Sequence, residues 1–394
     1  MSELDRGGPG LADRMQSFEE SDIRRMFDLA EEQEGDLVRL EIGEPDFDTP
    51  EHIIDAAADA ARDGATHYTH NAGIVELREA IAEKLARDND LDVDPQSEVA
   101  VTVGAMEAVY FSLLATCNPG DEVVIPTPAW VNYFTMAGAV DFEPVEVPMA
   151  EETGFALDPD RIRDAVTEDT RVIVLTTPNN PTGQVFDPDA ASEVVDIAAE
   201  NDAYVIADEV YEQITYDTEP TNVAANSEHF ENVISVSAFS KTYAMTGWRV
   251  GWLAGPNPIV QSVRKLHQAS TTCAPSVSQH AAIEALRGPQ EPIQEMLDAF
   301  GERRDYVVER IDGIDGIDAV DPQGGFYVFL DVRDLEGSSL DIAERLLTEY
   351  NVVTVPGSGF GDAGDGYLRL SFANSIDRLE AGFDRIEAMV DDER

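Results

Sequence analysis

From residue 99 onward, short runs of β-branched residues recur between longer polar or amphipathic stretches. They occupy residues 99–103, 122–126, 145–148, 172–176, 204–207, 233–236 and 250–254. Runs this short and this apolar predict strands buried on both faces, and their alternation with helical stretches predicts a mostly parallel sheet covered by helices, an α/β fold. Upstream, Phe18, Ile23, Met26, Phe27 and Leu29 fall at helical spacing within 17–35, with Gly35 as a stop. The apolar segment LVRLEIGEPDF follows, and Gly43 and Pro45 break it in a turn whose backbone can approach a ligand closely. Helices are predicted over 51–63 and 74–88, on either side of a Gly/Thr/His-rich break holding Tyr68.

Past residue 288 the pattern changes. GPQEP makes a break, a long amphipathic helix is predicted near 293–311, strands at 325–331, 351–355 and 366–372, and a closing helix at 377–389. The expected organisation is an N-terminal arm at 1–16, a large domain at 46–287, and a smaller α+β domain built from 17–45 with 288–394.

Charge narrows the function. The 394 residues include 79 Asp and Glu against 26 Lys and Arg, a formal net charge of -53. That field repels phosphate backbones and anionic lipid surfaces, which excludes nucleic acid and membrane as partners bound through basic patches. The acidic residues are spread along the chain, which reads as a solvated surface suited to molar salt, where the screening length falls to about 3 Å. Cys117 and Cys273 stand far apart, the histidines show no HExxH spacing, and MSELDRGGPGLADRM lacks the apolar segment of a signal peptide. The expectation is a soluble, cytoplasmic protein with reduced thiols and no metal.

In parallel sheets, ligands sit beyond the carboxyl ends of the strands, so the residues just after each run carry the candidate chemistry. Gly104, Ala105 and Met106 open a helix whose free amides can receive an anion, although the same glycine serves an ordinary turn. Trp130 offers an indole either to a flat ring or to the core. Asn180 is held in the rigid turn TPNNPTG, at 177–183. Asp208 ends a run and, if buried, needs a cation. The stretch SAFSKTYAMTGWR, at 237–249, holds Lys241. Only Lys84, Lys241 and Lys265 stand against twenty-three arginines. A lysine kept in an apolar, aromatic segment of such a chain points to amine chemistry that arginine cannot perform, such as Schiff-base formation. Ser240 and Arg249, with Ser237 as a third candidate, suit a phosphate. An aromatic plate, a buried carboxylate, a phosphate site and one privileged lysine together specify pyridoxal 5'-phosphate.

The segments LEIGEPDFDTP, HYTHNAGIVELREAI, TPNNPTG, ADEVYE, SKTYAMTGWRVGW and LRLSFANS, in this order, resemble the fold-type I, class I/II aminotransferases. The resemblance covers 17–390 and lies in the branch of bacterial and archaeal aspartate and aromatic aminotransferases. It implies a mostly parallel seven-stranded sheet in the large domain. It implies that Lys241 forms the Schiff base with the cofactor and moves the proton, that Asp208 keeps the ring nitrogen protonated, and that Tyr211 and Asn180 bond the ring oxygen. Trp130 would stack on the ring, while Ser240, Arg249 and the amides of Ala105 and Met106 hold the phosphate. Arg369 matches the clamp on the substrate α-carboxylate, helped by the Gly43 amide, with Trp130 and Asn180 also bordering the substrate. Tyr68 matches a tyrosine that reaches the phosphate of a neighbouring subunit, which implies a homodimer with shared active sites. Cis peptide bonds are expected before Pro128 and Pro181. Together with the charge bias, the resemblance implies a haloarchaeal source.

Two positions depart from that family pattern. Ala238 stands where many relatives carry serine, and Met106 where some carry a polar or basic side chain that can meet a distal carboxylate. The expected reaction is a ping-pong transfer from an L-amino acid, either aspartate or an aromatic or other neutral donor, to 2-oxoglutarate. Its alternatives are a C–S β-lyase on the same fold and a cofactor-binding regulatory module. Donor choice is expected to fall to Phe18, Met26, Phe27, Tyr68 and 268–272.

Overall fold

The computed structural model describes Met15, residues 22–33 and residues 35–393. Apart from Met15, the expected arm at 1–16 therefore lies outside the described residues, as does Phe18. Seven strands form one sheet: β1 Val99–Thr102, β2 Glu122–Thr127, β3 Glu143–Pro148, β4 Thr170–Thr176, β5 Tyr204–Asp208, β6 Val233–Ala238 and β7 Gly251–Ala254. Their order is β1-β7-β6-β5-β4-β2-β3, and all neighbours run parallel except β7, which is antiparallel to both β1 and β6.

Six of the seven predicted runs become strands that alternate between two apolar layers, whereas the edge strand β3 buries only Val147 and exposes Glu143, Pro144 and Pro148. Val99, Val101, Ile173, Leu175 and Val205 enter one layer, where Leu77, Ile81, Val194 and Ala285 of covering helices meet them. Ala100, Val123, Val172, Val174 and Ile206 enter the other, against Val109, Tyr133 and Val263. A strand buried on both faces cannot alternate apolar with polar, which is why the runs read as continuous.

Beyond the sheet, strands Tyr327–Asp331 and Tyr367–Ser371 pair antiparallel, between the long helices Glu291–Asp312 and Ile376–Asp392. Met26, Val38 and Leu40 of the N-terminal segment join Val328, Leu370, Phe383 and Ile386 in one apolar cluster. The single strand expected at 351–355 is divided. Val352–Val353 runs parallel to Val38–Arg39, whereas Val355–Pro356 joins Tyr367–Ser371, so the chain passes from one sheet to another within three residues. Cis peptide bonds precede Pro128 and Pro178. The second had been expected before Pro181, but Pro181 lies inside a turn closed by Asn179 N to Gln184 O at 2.8 Å and Gly183 N to Asn179 O at 2.9 Å. Among the described residues no helix is long and apolar enough to cross a membrane.

Candidate active site

The carboxyl ends of β1, β2, β4, β5 and β6 open onto a cavity of about 620 Å³. Twelve of the residues singled out from the sequence line it, although they come from segments spread between Phe27 and Arg369.

At its floor, β4 and β5 pair Thr176 with Asp208. The Tyr133 hydroxyl donates to Asp208 Oδ2 at 2.7 Å and lies 2.8 Å from Thr176 Oγ1. Asp208 Oδ1 is buried with no partner among the described residues. Burial pushes this carboxyl up to about 6, against the opposing pull of the Tyr133 hydrogen bond. An open carboxylate oxygen in so dry a place is costly unless a donor or cation completes it. The cation that the sequence demanded for Asp208 is not a hydrogen-bonded side chain, and the nitrogen of a protonated pyridine ring fits that vacancy in its bonding.

Lys241 follows β6. Its Nζ donates to the Gly43 carbonyl at 2.5 Å and faces the rings of Tyr211 and Phe326 at 5.7 and 5.6 Å. Gly43 has no room for a side chain, since a Cβ there would stand 2.5 Å from the Tyr327 hydroxyl. That hydroxyl is 3.0 Å from the hydroxyl of Tyr211. Burial, then the neighbouring Tyr327, raises the Tyr211 hydroxyl well above its ordinary range, so it remains a proton donor.

The helix Ala105–Thr116 starts at the cavity, which Ala105 and Met106 line. Gly104 precedes it with φ 79°, and no side chain caps the first turn, so the helix presents amides and the positive end of its dipole. Arg249 donates to Thr246 O at 2.9 Å and to Val103 O at 3.4 Å. A Cβ on Gly104 would come within 2.6 Å of Arg249 Nη2, so the bare glycine is what lets the guanidinium lie against the helix start. Ser240 lines the same cavity.

Arg369, on Tyr367–Ser371, is buried yet incompletely satisfied. Nη2 donates to Glu41 O at 2.7 Å and Nη1 to Asn180 Oδ1 at 3.2 Å, while Nε has no partner among the described residues. Its guanidinium lies 4.5 Å from the centre of the Tyr327 ring. A planar cation held this way suits a carboxylate. Trp130 lines the cavity too, braced edge-on against Tyr133 with centroids 5.4 Å apart.

Two candidates lie elsewhere. Ser237 is buried behind the cavity, where its hydroxyl donates to Glu209 O at 3.4 Å. Tyr68 is 86% exposed and does not line the cavity of its own chain. Of the residues expected to choose the donor, Phe27 lines the cavity, while Met26 is fully buried in the core cluster. Tyr133, Thr176, Glu41 and Tyr327 also line the cavity and had not been singled out. Tyr133 follows Trp130 in a turn closed by Tyr133 N to Trp130 O at 3.1 Å, just as the helix Asn132–Val140 begins. Glu41 and Tyr327 left no signal in the sequence, because only their long-range packing brings them here.

A family model described as aminotransferase class I and II matches residues 35–386. The aromatic-amino-acid aminotransferase 2 of Thermococcus litoralis is 40% identical over 387 residues, covering 98% of this chain and 99% of its own. The aspartate aminotransferase of Pyrococcus abyssi is 41% identical, with 96% of this chain and 98% of its own covered. The solved structure of Pyrococcus protein-A1 superimposes with a TM-score of 0.94 at 41% identity, over 96% of this chain and 98% of that one.

Proposed function

The chain belongs to the class I and II aminotransferases and is a pyridoxal-phosphate-dependent aminotransferase, and on that premise we propose that it moves the amino group of aspartate, or of an aromatic or other neutral L-amino acid, to 2-oxoglutarate by a ping-pong cycle. The observation that carries this reading is the open, buried oxygen of Asp208 in the same cavity as the Lys241 amine and the under-satisfied Arg369. The bound cofactor supplies an electron sink for charge developing at the substrate Cα.

The chain's own residues do the rest. Asp208 pairs with the ring nitrogen and keeps it protonated, and Tyr211 and Asn180 donate to the ring oxygen. Trp130 stacks on the ring. Ser240, Arg249 and the amides of Ala105 and Met106 seat the phosphate at the helix start. Arg369, with the Gly43 amide, orients the substrate α-carboxylate. Lys241 Nζ would take up the proton from the substrate Cα and hold it as an ammonium for return. Its hydrogen bond to the Gly43 carbonyl supports this reading, since Gly43 is one of the residues proposed to meet the carboxylate.

The same proposal includes a homodimer in which Tyr68 of a second copy completes each phosphate seat, which gives its exposed ring an occupation. It includes the division into 46–287 and 17–45 with 288–394, a cytoplasmic location and a haloarchaeal, salt-requiring origin. A donor panel with 2-oxoglutarate in molar KCl tests the reading. Parallel initial-rate lines for the active donor are expected, and intersecting lines would rule out the ping-pong order.

A further inference from the structure

One turn, 208–212, carries residues that face two ways. Asp208 and Tyr211 line the cavity, whereas Glu209 and Glu212, interleaved with them, are buried behind it. Glu209 is fully engaged, accepting from Ser235 Oγ at 2.5 Å, Val223 N at 2.8 Å and Asn222 Nδ2 at 3.0 Å. Glu212 is gripped from the helix Val75–Asp88, where Lys84 Nζ donates to its Oε1. Asn89 closes the triangle, accepting from Lys84 at 2.7 Å and donating to Glu212 Oε2 at 3.3 Å. Lys84 is 4% exposed and Glu212 5%.

Lysine is the scarce cation of this chain, and this one makes no chemistry of its own. An ammonium offers a compact point charge where a guanidinium needs a wide planar fork, so a site enclosed by Glu212 and Asn89 selects lysine by size. Buried ion pairs add little net stability, because desolvation offsets their attraction, so stability alone is a weak reason to keep it. A tie between a helix and the back of the turn that presents Asp208 and Tyr211 is a stronger one.

We propose that Lys84 is a positioning residue, which acts through Glu212 to hold the 208–212 turn where Asp208 and Tyr211 meet the ring nitrogen and ring oxygen of the cofactor. The inference rests on the cofactor roles proposed above for those two residues. Ser237 braces the same turn from β6, through its hydrogen bond to the Glu209 carbonyl.

The test compares wild-type holoenzyme with Lys84→Met, the double variant Lys84→Met/Glu212→Gln, and Asp208→Asn. The readouts are the pH titration of the bound cofactor's visible absorbance, cofactor affinity, kcat, KM and thermal midpoint. In both Lys84 variants the spectral midpoint is expected to rise, because Tyr211 donates less firmly to the ring oxygen. Displacement of this kind lowers kcat on the order of tenfold to a hundredfold. KM for the amino acid should hold, since Arg369 lies on a different strand. The double variant, which leaves no lone buried carboxylate, should regain thermal stability without regaining the spectrum. A double variant with the wild-type titration and kcat overturns the inference, and it decides the matter alone should Lys84→Met fail to fold. An Asp208→Asn protein with unchanged spectrum and cofactor affinity would instead overturn the reading beneath it.

Discussion

The Tyr133 hydroxyl donates to Asp208 Oδ2 at 2.7 Å, so one oxygen of the buried carboxylate is satisfied within the protein while the other is open. A hydrogen bond to a charged group contributes about 1.5–3 kcal/mol, so Tyr133→Phe is expected to weaken cofactor binding by at least about tenfold. Equilibrium titration of the cofactor-free protein checks this. Unchanged affinity would remove Tyr133 from the cofactor's support.

Asp208 also predicts a pH effect in the cofactor-free protein. Its carboxyl is raised from 3.8 to about 6 by burial, so between those values the folded state binds more protons than the unfolded one. Its contribution to stability is therefore fully present below about pH 4 and is lost as pH rises through about 6, leaving a penalty of about 3 kcal/mol at neutral pH. Asp208→Asn should make the cofactor-free protein more stable than wild type at pH 7.5, with the difference shrinking toward pH 5, and should weaken cofactor binding. Thermal midpoints across that range decide it, and a pH-independent difference would contradict the buried-charge argument.

Gly251 packs against the start of the helix Ala105–Thr116, the proposed phosphate seat. A Cβ there would lie 2.8 Å from both the Ala105 nitrogen and the Gly104 carbonyl carbon, which are backbone atoms and cannot swing aside. Gly251→Ala must displace the helix start. Overpacking of this kind costs about 1–3 kcal/mol, and placed at the phosphate turn it should reduce cofactor affinity by about tenfold or more. Calorimetric titration of the variant measures it; wild-type affinity would show that the turn yields without consequence.

A net charge of -53 sets the last prediction. Self-repulsion is strongest when salt is dilute, so the thermal midpoint should climb markedly from low salt to molar KCl. A flat response would remove the halophilic reading.

The sequence by itself determined six of the seven strands of the sheet, because a strand buried on both faces must be written as an unbroken apolar run, while the exposed edge strand β3 is marked only by Val145 and Val147. It also marked most of the cavity, since the residues after parallel strands gather at one edge whatever the details of packing. The scarcity of lysine pointed to Lys241 for the same local reason. What only the tertiary structure decided are relationships across distance. Tyr327 meets Gly43 and Tyr211 because long-range packing brings three distant segments together, and Ser237 turns to Glu209 because strand alternation sends it behind the cavity. Lys84 finds Glu212 across 128 positions of chain. Local periodicity reports which face a residue occupies, and the partner on that face is chosen only when the layers close.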